Sequence, residues 1–251
     1  MTYTIAIAGK GGVGKSTISA LAVLYLHRST KEVVLAVDAD PNSNLGAKLE
    51  TDPGRTLGDL REEIVTRGEE PPDGMSKQEY VDYQIRLALR EGSGFDLISM
   101  GRQEGPGCYC YVNNMLRTIL DSISSKYSYV VIDNEAGMEH LSRRTTQAPN
   151  LLLVVADRSK AALDAARRIS DLANHMKIRA GRKILVLNML DPGSEGAPQV
   201  RADGFDAVYG IRMSGLIRER AEESESLLGI PPTDPAYADV ARLLDAERKR
   251  R

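Results

Sequence analysis

Apolar positions along the chain fall into short unbroken runs separated by stretches with helical spacing. Ile5-Ala6-Ile7-Ala8 is the first run and Val33-Val34-Leu35-Ala36-Val37 the second. Phe95–Ser99, Tyr129–Ile132, Leu151–Val155, Ile184–Leu187 and Ala207–Ile211 follow. A strand with one wet face alternates apolar and polar residues, whereas one buried on both faces does not. These runs therefore predict buried parallel strands. Between the first two, Ile18, Leu21, Ala22, Tyr25 and Leu26 recur at helical spacing. Val112, Met115, Leu116, Ile119, Leu120 and Ile123 do the same before the fourth run. Strand-helix alternation predicts an α/β fold with a doubly wound, mostly parallel sheet and helices on both faces.

The 251 residues are read as one domain, 1–251. The least core-like stretch, about 52–94, carries Pro53, Pro71, Pro72 and many charges. It predicts an exposed, partly helical excursion. A second loop, Asp191 to Gly204, is rich in Gly, Pro and Asp, and the basic tail Glu247–Arg251 reads as a solvated helix end.

Composition excludes several classes. Lys and Arg number 33 against 35 Asp and Glu, a net charge of −2, so no global basic field favours nucleic acid. There is no Trp and only two Phe, too few for base-stacking platforms. No run reaches the ~18 apolar residues of a membrane span. The N-terminus shows no basic segment followed by a long apolar core, so no secretory signal is expected. With two cysteines, the expected compartment is the cytoplasm.

Chemistry enters at Gly9-Lys10-Gly11-Gly12-Val13-Gly14-Lys15-Ser16, which fits G-x-x-x-x-G-K-[ST]. It lies directly after the first strand and before the first helix, where the mechanism needs it. Glycines let backbone N–H groups curl around phosphate oxygens, and the helix N-terminus adds its positive dipole end. Lys15 is placed to reach the β- and γ-phosphates and Ser16 to ligate Mg²⁺. Asn188 is followed by Met189-Leu190, not by the Lys-x-Asp of a guanine site, so ATP is expected rather than GTP.

Cys108 and Cys110 flank Tyr109 just ahead of the helix that starts at Val112. A thiol near a helix N-terminus ionises more readily, and thiolate is the form that binds metal. Closed tetrahedral sites use four ligands and one chain offers two thiolates, so a two-fold dimer would complete the set. Buried inert thiols, or an intrachain disulfide, are the alternatives. Gly105-Pro106-Gly107 reads as an exposed turn rather than core, and a C-x-C disulfide is strained. His140 and His175 are further ligand candidates.

The loop with its early lysine, Lys10, resembles the deviant Walker A loop of the MinD/ParA/iron-protein group of P-loop ATPases. The resemblance implies that Lys10 reaches across a dimer interface to the partner's nucleotide, and that Gly11 to Thr17 cradle it. Asp38-Ala39-Asp40-Pro41 follows the second strand. In this group the first carboxylate lies near Mg²⁺ and the second positions or activates the attacking water. Asp133 looks like the Walker B carboxylate, and Asp133-Asn134-Glu135-Ala136-Gly137 resembles switch II, whose glycine bonds the γ-phosphate. Asn188 matches the group's base-contacting asparagine.

Adding Cys108-Tyr109-Cys110 and the run Met138-Glu139-His140-Leu141 narrows the likeness. From Ile5 to about Pro235, the chain resembles the CooC-type ATPases that assist nickel insertion into carbon monoxide dehydrogenase, and the AcsF-type factors for acetyl-CoA synthase. Met189 departs from the family, which commonly has a basic residue there. The resemblance implies an ATP-hydrolysing homodimer that binds ATP/ADP and Mg²⁺, with Ni²⁺ or Zn²⁺ shared between the cysteine pairs, and a nickel enzyme as client. Two other functions remain open at this point. A MinD/ParA-type positioning ATPase wants a membrane helix or a basic face, and the short, charged Ala238–Arg251 offers neither. An iron-protein-like electron donor uses cysteines far apart in sequence.

Overall fold

The computed structural model describes residues 2–40, 42–66, 74–101, 121–134, 149–175, 180–193, 200 and 202–250. In chain order these form β1 (Tyr3–Gly9), α1 (Lys15–Thr30), β2 (Val34–Asp38), α2 (Asn44–Lys48), α3 (Leu57–Thr66) and α4 (Lys77–Ala88). There follow β3 (Arg90–Glu91), β4 (Phe95–Ser99), β5 (Tyr129–Asp133), β6 (Leu151–Ala156) and α5 (Lys160–His175). The last elements are β7 (Arg182–Leu190), β8 (Ala207–Arg212), α6 (Gly215–Glu222) and α7 (Pro235–Arg248).

The strands make one sheet in the order β3-β4-β2-β5-β1-β6-β7-β8. Every pairing is parallel except β3 with β4. All residues of β2 and β6 are buried, so both faces of the sheet are covered, as the unbroken apolar runs predict. Helix α1 covers β1, β2 and β5 between α2 and α7, while α5 packs on β1 and β6. The expected doubly wound α/β fold is the observed one. The chain leaves β1 toward β2 and later crosses back to β6. The carboxyl ends of β1, β2, β5 and β6 therefore meet at the switch point where such sheets bind ligands.

Two expectations need correction. The stretch 52–94 is partly helical but not simply exposed. Leu57, Leu60, Tyr80, Ile85 and Ala88 are buried, and β3 adds an antiparallel edge to the sheet. Asp59, Glu62, Glu79 and Arg86 are exposed on the two helices whose apolar residues join the core. The tail ends its helix with Lys249 and Arg250 exposed, as expected, but its first residue is not solvated. Glu247 is buried, accepting from Arg182 Nε at 2.5 Å and from the Tyr209 hydroxyl at 2.9 Å. Asp239 holds Arg212 through two guanidinium bonds of 2.8 and 2.9 Å, and Asp234 caps α7 through the N–H groups of Ala236 and Tyr237. Three buried carboxylates thus fasten α7 to β7, β8 and the loop before α6. Of the helix predicted from Val112, only the end lies within the described residues: 121–124 is helical and Ile123 is buried. Among the described residues no helix is long and apolar enough to cross a membrane.

Candidate functional site

The loop Gly9–Ser16 opens at the end of β1 and closes at the start of α1. A Cβ on Gly9 would meet the Val155 carbonyl oxygen of β6 at 2.4 Å, so only glycine lets the loop leave the sheet here. Gly14, the N-cap of α1, has φ +90°. No side chain caps α1, so the N–H groups of its first turn are left for a ligand. Lys15 is buried, and its ammonium donates to the Lys10 carbonyl at 3.2 Å. The side chain expected to meet phosphate is therefore folded back under the loop. Ser16 and Thr17 are half-buried beside it, and Lys10 is exposed.

Asp38 and Asp133 end the neighbouring strands β2 and β5 and are register partners. Parallel strands in register send paired side chains to the same face, so two carboxylates meet at the edge of the phosphate loop. Both are buried. Asp38 is spent on the chain itself. Its Oδ1 accepts from Asp40 N at 3.1 Å, and its Oδ2 from Leu45 N at 2.9 Å and Gly46 N at 3.4 Å. It thereby caps α2, whose own N-cap, Ser43, makes no side-chain bond. Burial first, and the Asp133 charge second, push its pKa up to about 7 against those bonds.

Asp133 is differently placed. The Ser19 hydroxyl lies 3.1 Å from its Oδ1 and 3.0 Å from the Lys15 carbonyl. Its Oδ2 is buried without a hydrogen-bond partner. Burial raises its pKa to about 6, Asp40 adds to the rise, and the Ser16 and Ser19 hydroxyls and the Lys15 ammonium oppose it. Lys48, half-buried on α2, feels the same carboxylate. Burial lowers its pKa and Asp133 resists the fall. Asp40, half-buried, accepts from Asn42 N and Asn42 Nδ2, both at 2.9 Å.

A buried carboxylate oxygen with no donor is costly unless something fills it. The groups around Asp133 are the Ser16 and Ser19 hydroxyls, the Asp38 and Asp40 carboxylates and the Lys15 and Lys48 ammonium groups, so the oxygens on hand would suit a cation. Hard oxygen ligands of this kind suit Mg²⁺, and the residues present fit it. The free oxygen belongs to Asp133, not to Asp38.

On the far side of the loop, Asn188 of β7 donates from Nδ2 to the Val13 carbonyl at 2.9 Å. That bond leaves its Oδ1 as an acceptor. The fold thus brings Gly11 to Thr17, Lys15, Asp38, Asp40, Asp133 and Asn188 to one edge. Cys108, Cys110, Gly137 and His140 lie outside the described residues. His175 sits exposed at the end of α5 with Nδ1 2.9 Å from the Asp171 carbonyl. Among the described residues no group of three or more His, Cys, Asp or Glu could hold a metal ion. Sequence reasoning missed Ser19 and Lys48. Ser19 had a readable signal, a polar residue one turn after Lys15 on a helix otherwise buried along that face.

Comparison with known proteins extends this picture. A family model described as AAA domain matches residues 2–186. An uncharacterized ATP-binding protein of Methanocaldococcus jannaschii is 42% identical over 90% of this chain and 89% of its own. The carbon monoxide dehydrogenase accessory protein CooC of Rhodospirillum rubrum is 30% identical over 96% of each chain. Among solved structures, the septum site-determining protein MinD of Pyrococcus horikoshii, complexed with Mg-ADP, superposes with a TM-score of 0.67 at 19% identity. That match covers 98% of this chain and 96% of the other. The MinC:MinD complex of Aquifex aeolicus gives 0.68 at 20% identity, with the same coverage. The phosphate loop, the paired carboxylates beyond it and the family match agree, and the chain belongs to the AAA-domain family as a P-loop ATPase, with a fold like that of MinD.

Proposed function

We propose that this ATPase is a nickel metallochaperone of the CooC type, which delivers metal to carbon monoxide dehydrogenase or acetyl-CoA synthase. The observation that carries the reading is the likeness to CooC over nearly the whole length of both chains, in a chain whose only cysteines are the Cys108-Tyr109-Cys110 pair. Two thiolates from each of two copies give the four ligands of a closed site. Nickel, or zinc in its place, is then the cargo.

In the ATPase step, loop N–H groups and the N-terminus of α1 receive the phosphates. Lys15 exchanges the Lys10 carbonyl for β- and γ-phosphate oxygens. Ser16 and Asp133 would hold Mg²⁺, which would supply positive charge against the phosphate oxygens. Asp38 fixes the start of α2 and, through Asp40 N, the turn that carries Asp40. Asp40 orients a water that adds to the γ-phosphorus as the bond to the bridging oxygen breaks, giving ADP and phosphate. Gly137 hydrogen-bonds the γ-phosphate, and Asn188 faces the base. Lys10, exposed on the loop, reaches the nucleotide of a second copy, so ATP closes the homodimer and hydrolysis opens it. Closure pairs the cysteines, and opening releases metal to the client.

The packing of α7 speaks against a positioning role at a membrane. Tyr237, Val240, Leu243 and Leu244 are buried, so the apolar face of this helix is already used within the fold. The ATPase cycle is tested with Asp40→Ala and Lys10→Ala. Asp40→Ala is expected to bind ATP yet hydrolyse it slowly, accumulating a dimer seen by light scattering. Lys10→Ala is expected to bind ADP as a monomer and to lose ATP-dependent dimerisation. Wild-type turnover by Asp40→Ala, or ATP-driven dimers of Lys10→Ala, would contradict the assigned roles.

A further inference from the structure

Helix α1 is buried from Ile18 to Leu26, and apart from the Tyr25 hydroxyl its one polar side chain in that stretch is Ser19. Ser19 is fully buried, one turn past Lys15. Alanine would suit such a position better on helix propensity and on burial. A serine inside a helix commonly returns its hydroxyl to the carbonyl four residues back. Ser19 has that partner, the Lys15 carbonyl at 3.0 Å, but it has a second one, Asp133 Oδ1 at 3.1 Å. A hydroxyl carries one proton, so it gives to one acceptor at a time. An ionised carboxylate is the stronger acceptor of the two.

The backbone beneath Asp133 is already fixed. Asn134 N and Asn134 Nδ2 both donate to the Ile7 carbonyl, at 3.0 and 2.9 Å, and tie the end of β5 to β1. The freedom that remains is rotation of the carboxylate, whose terminal torsion is broad and two-fold. Its Oδ2 has no hydrogen-bond partner, so the contact of Ser19 with Oδ1 sets the plane of the group. Ser16 and Ser19 are three residues apart and share a face of α1, and both hydroxyls act on this carboxylate. Ser16, half-buried, is the one nearer the mouth of the loop. The Lys15 and Lys48 ammonium groups also attract Asp133. A carboxylate with neither oxygen held is free to turn toward them.

We propose that Ser19 is a positioning residue for the magnesium site: it holds Asp133 Oδ1 from within the core, so that Oδ2 is the oxygen presented to the cation. The proposal rests on the reading of Asp133 as the metal carboxylate given above. Ser19 acts through Asp133 and does not itself reach the ion. Partners that orient a metal ligand in this way typically change metal affinity by about 10–100-fold.

Mn²⁺, a paramagnetic substitute for Mg²⁺, tests this. It is titrated into the ADP complexes of wild type, Ser19→Ala, Ser19→Thr and Asp133→Asn, and the protein-bound fraction is read by electron paramagnetic resonance. Ser19→Ala is expected to weaken Mn²⁺ about tenfold, while binding ADP in EDTA as wild type does. Ser19→Thr restores a hydroxyl and is expected to recover most of the loss. Unaltered Mn²⁺ affinity in Ser19→Ala overturns the proposal, leaving Ser19 with an ordinary back-bond to Lys15. A matching loss of ADP affinity in EDTA overturns it too, because that marks a disturbed loop rather than a turned carboxylate. So does a Ser19→Thr protein that binds ADP normally yet holds Mn²⁺ no better than Ser19→Ala. Asp133→Asn that keeps wild-type Mn²⁺ affinity overturns the metal reading of Asp133 itself, and this proposal with it.

Discussion

Replacing Asp38 by asparagine removes a buried charge while keeping the side chain's size. The carboxyl has a pKa near 3.8 when exposed and about 7 in the fold. Because the folded-state value is the higher one, folding takes up a proton between these limits. Wild-type protein free of metal and nucleotide therefore loses stability as pH rises from about 4 to about 7, and nothing further from this group above that. The full gap is worth about 4 kcal/mol. Asparagine does not titrate, so its stability relative to wild type must climb with pH. Between about pH 5 and pH 8 the difference is expected to grow by about 3 kcal/mol. The offset at pH 5 is a separate matter. An amide NH₂ facing the N–H groups of Asp40, Leu45 or Gly46 costs about 1–3 kcal/mol, and the protonated carboxyl meets the same difficulty. The growth with pH is thus free of that offset. Urea unfolding in EDTA at several pH values measures it. A difference that stays flat from pH 5 to pH 8 would refute the claim that burial and Asp133 hold Asp38 protonated near neutrality.

Two further substitutions probe the frame around the site. Gly14→Ala forces a side chain into φ +90° and places its Cβ 2.3 Å from Asn188 Nδ2. A loss of about 2–3 kcal/mol is expected from the strain plus the broken bond to Val13, with weaker nucleotide binding, read by denaturation and titration. Glu247→Gln removes the charge shared by Arg182 and Tyr209. It is expected to cost about 1–3 kcal/mol in urea unfolding while leaving turnover at saturating ATP near wild type.

Much of this fold is legible because burial on both faces writes itself as unbroken apolar runs. Tyr129–Ile132 and Leu151–Val155 are each read to within one residue of the strand. Strand β3 leaves no such mark, since Arg90 and Glu91 are exposed and join the sheet through backbone bonds alone. Glu247 misleads for a related reason. A charge in a basic tail reads as solvated, and its burial depends on Arg182 and Tyr209, which are distant in sequence. At the site, motif order along the chain locates Lys15, Asp38 and Asp133, because each ends or follows a strand at the switch point. What the order does not carry is the division between the two carboxylates. Register places them side by side, but only the fold shows Asp38 consumed in capping α2 and Asp133 Oδ2 left open. Met189 reads as a mere departure at a strand end, and only the fold shows its positive φ and its nearness to Gly14.

Nickel binding measured against nucleotide tests the metallochaperone claim most directly. Metal stoichiometry and affinity are followed by equilibrium dialysis with ADP and with a non-hydrolysable ATP analogue, for wild type and for the Cys108→Ser/Cys110→Ser double variant. Shared thiolates predict about one metal per dimer, bound more tightly with the ATP analogue than with ADP. Linkage requires metal to tighten the analogue by the same factor. The double variant is expected to lose both the metal and the coupling while still binding nucleotide. One metal per monomer, held equally with either nucleotide and indifferent to the loss of Cys108 and Cys110, would contradict the account.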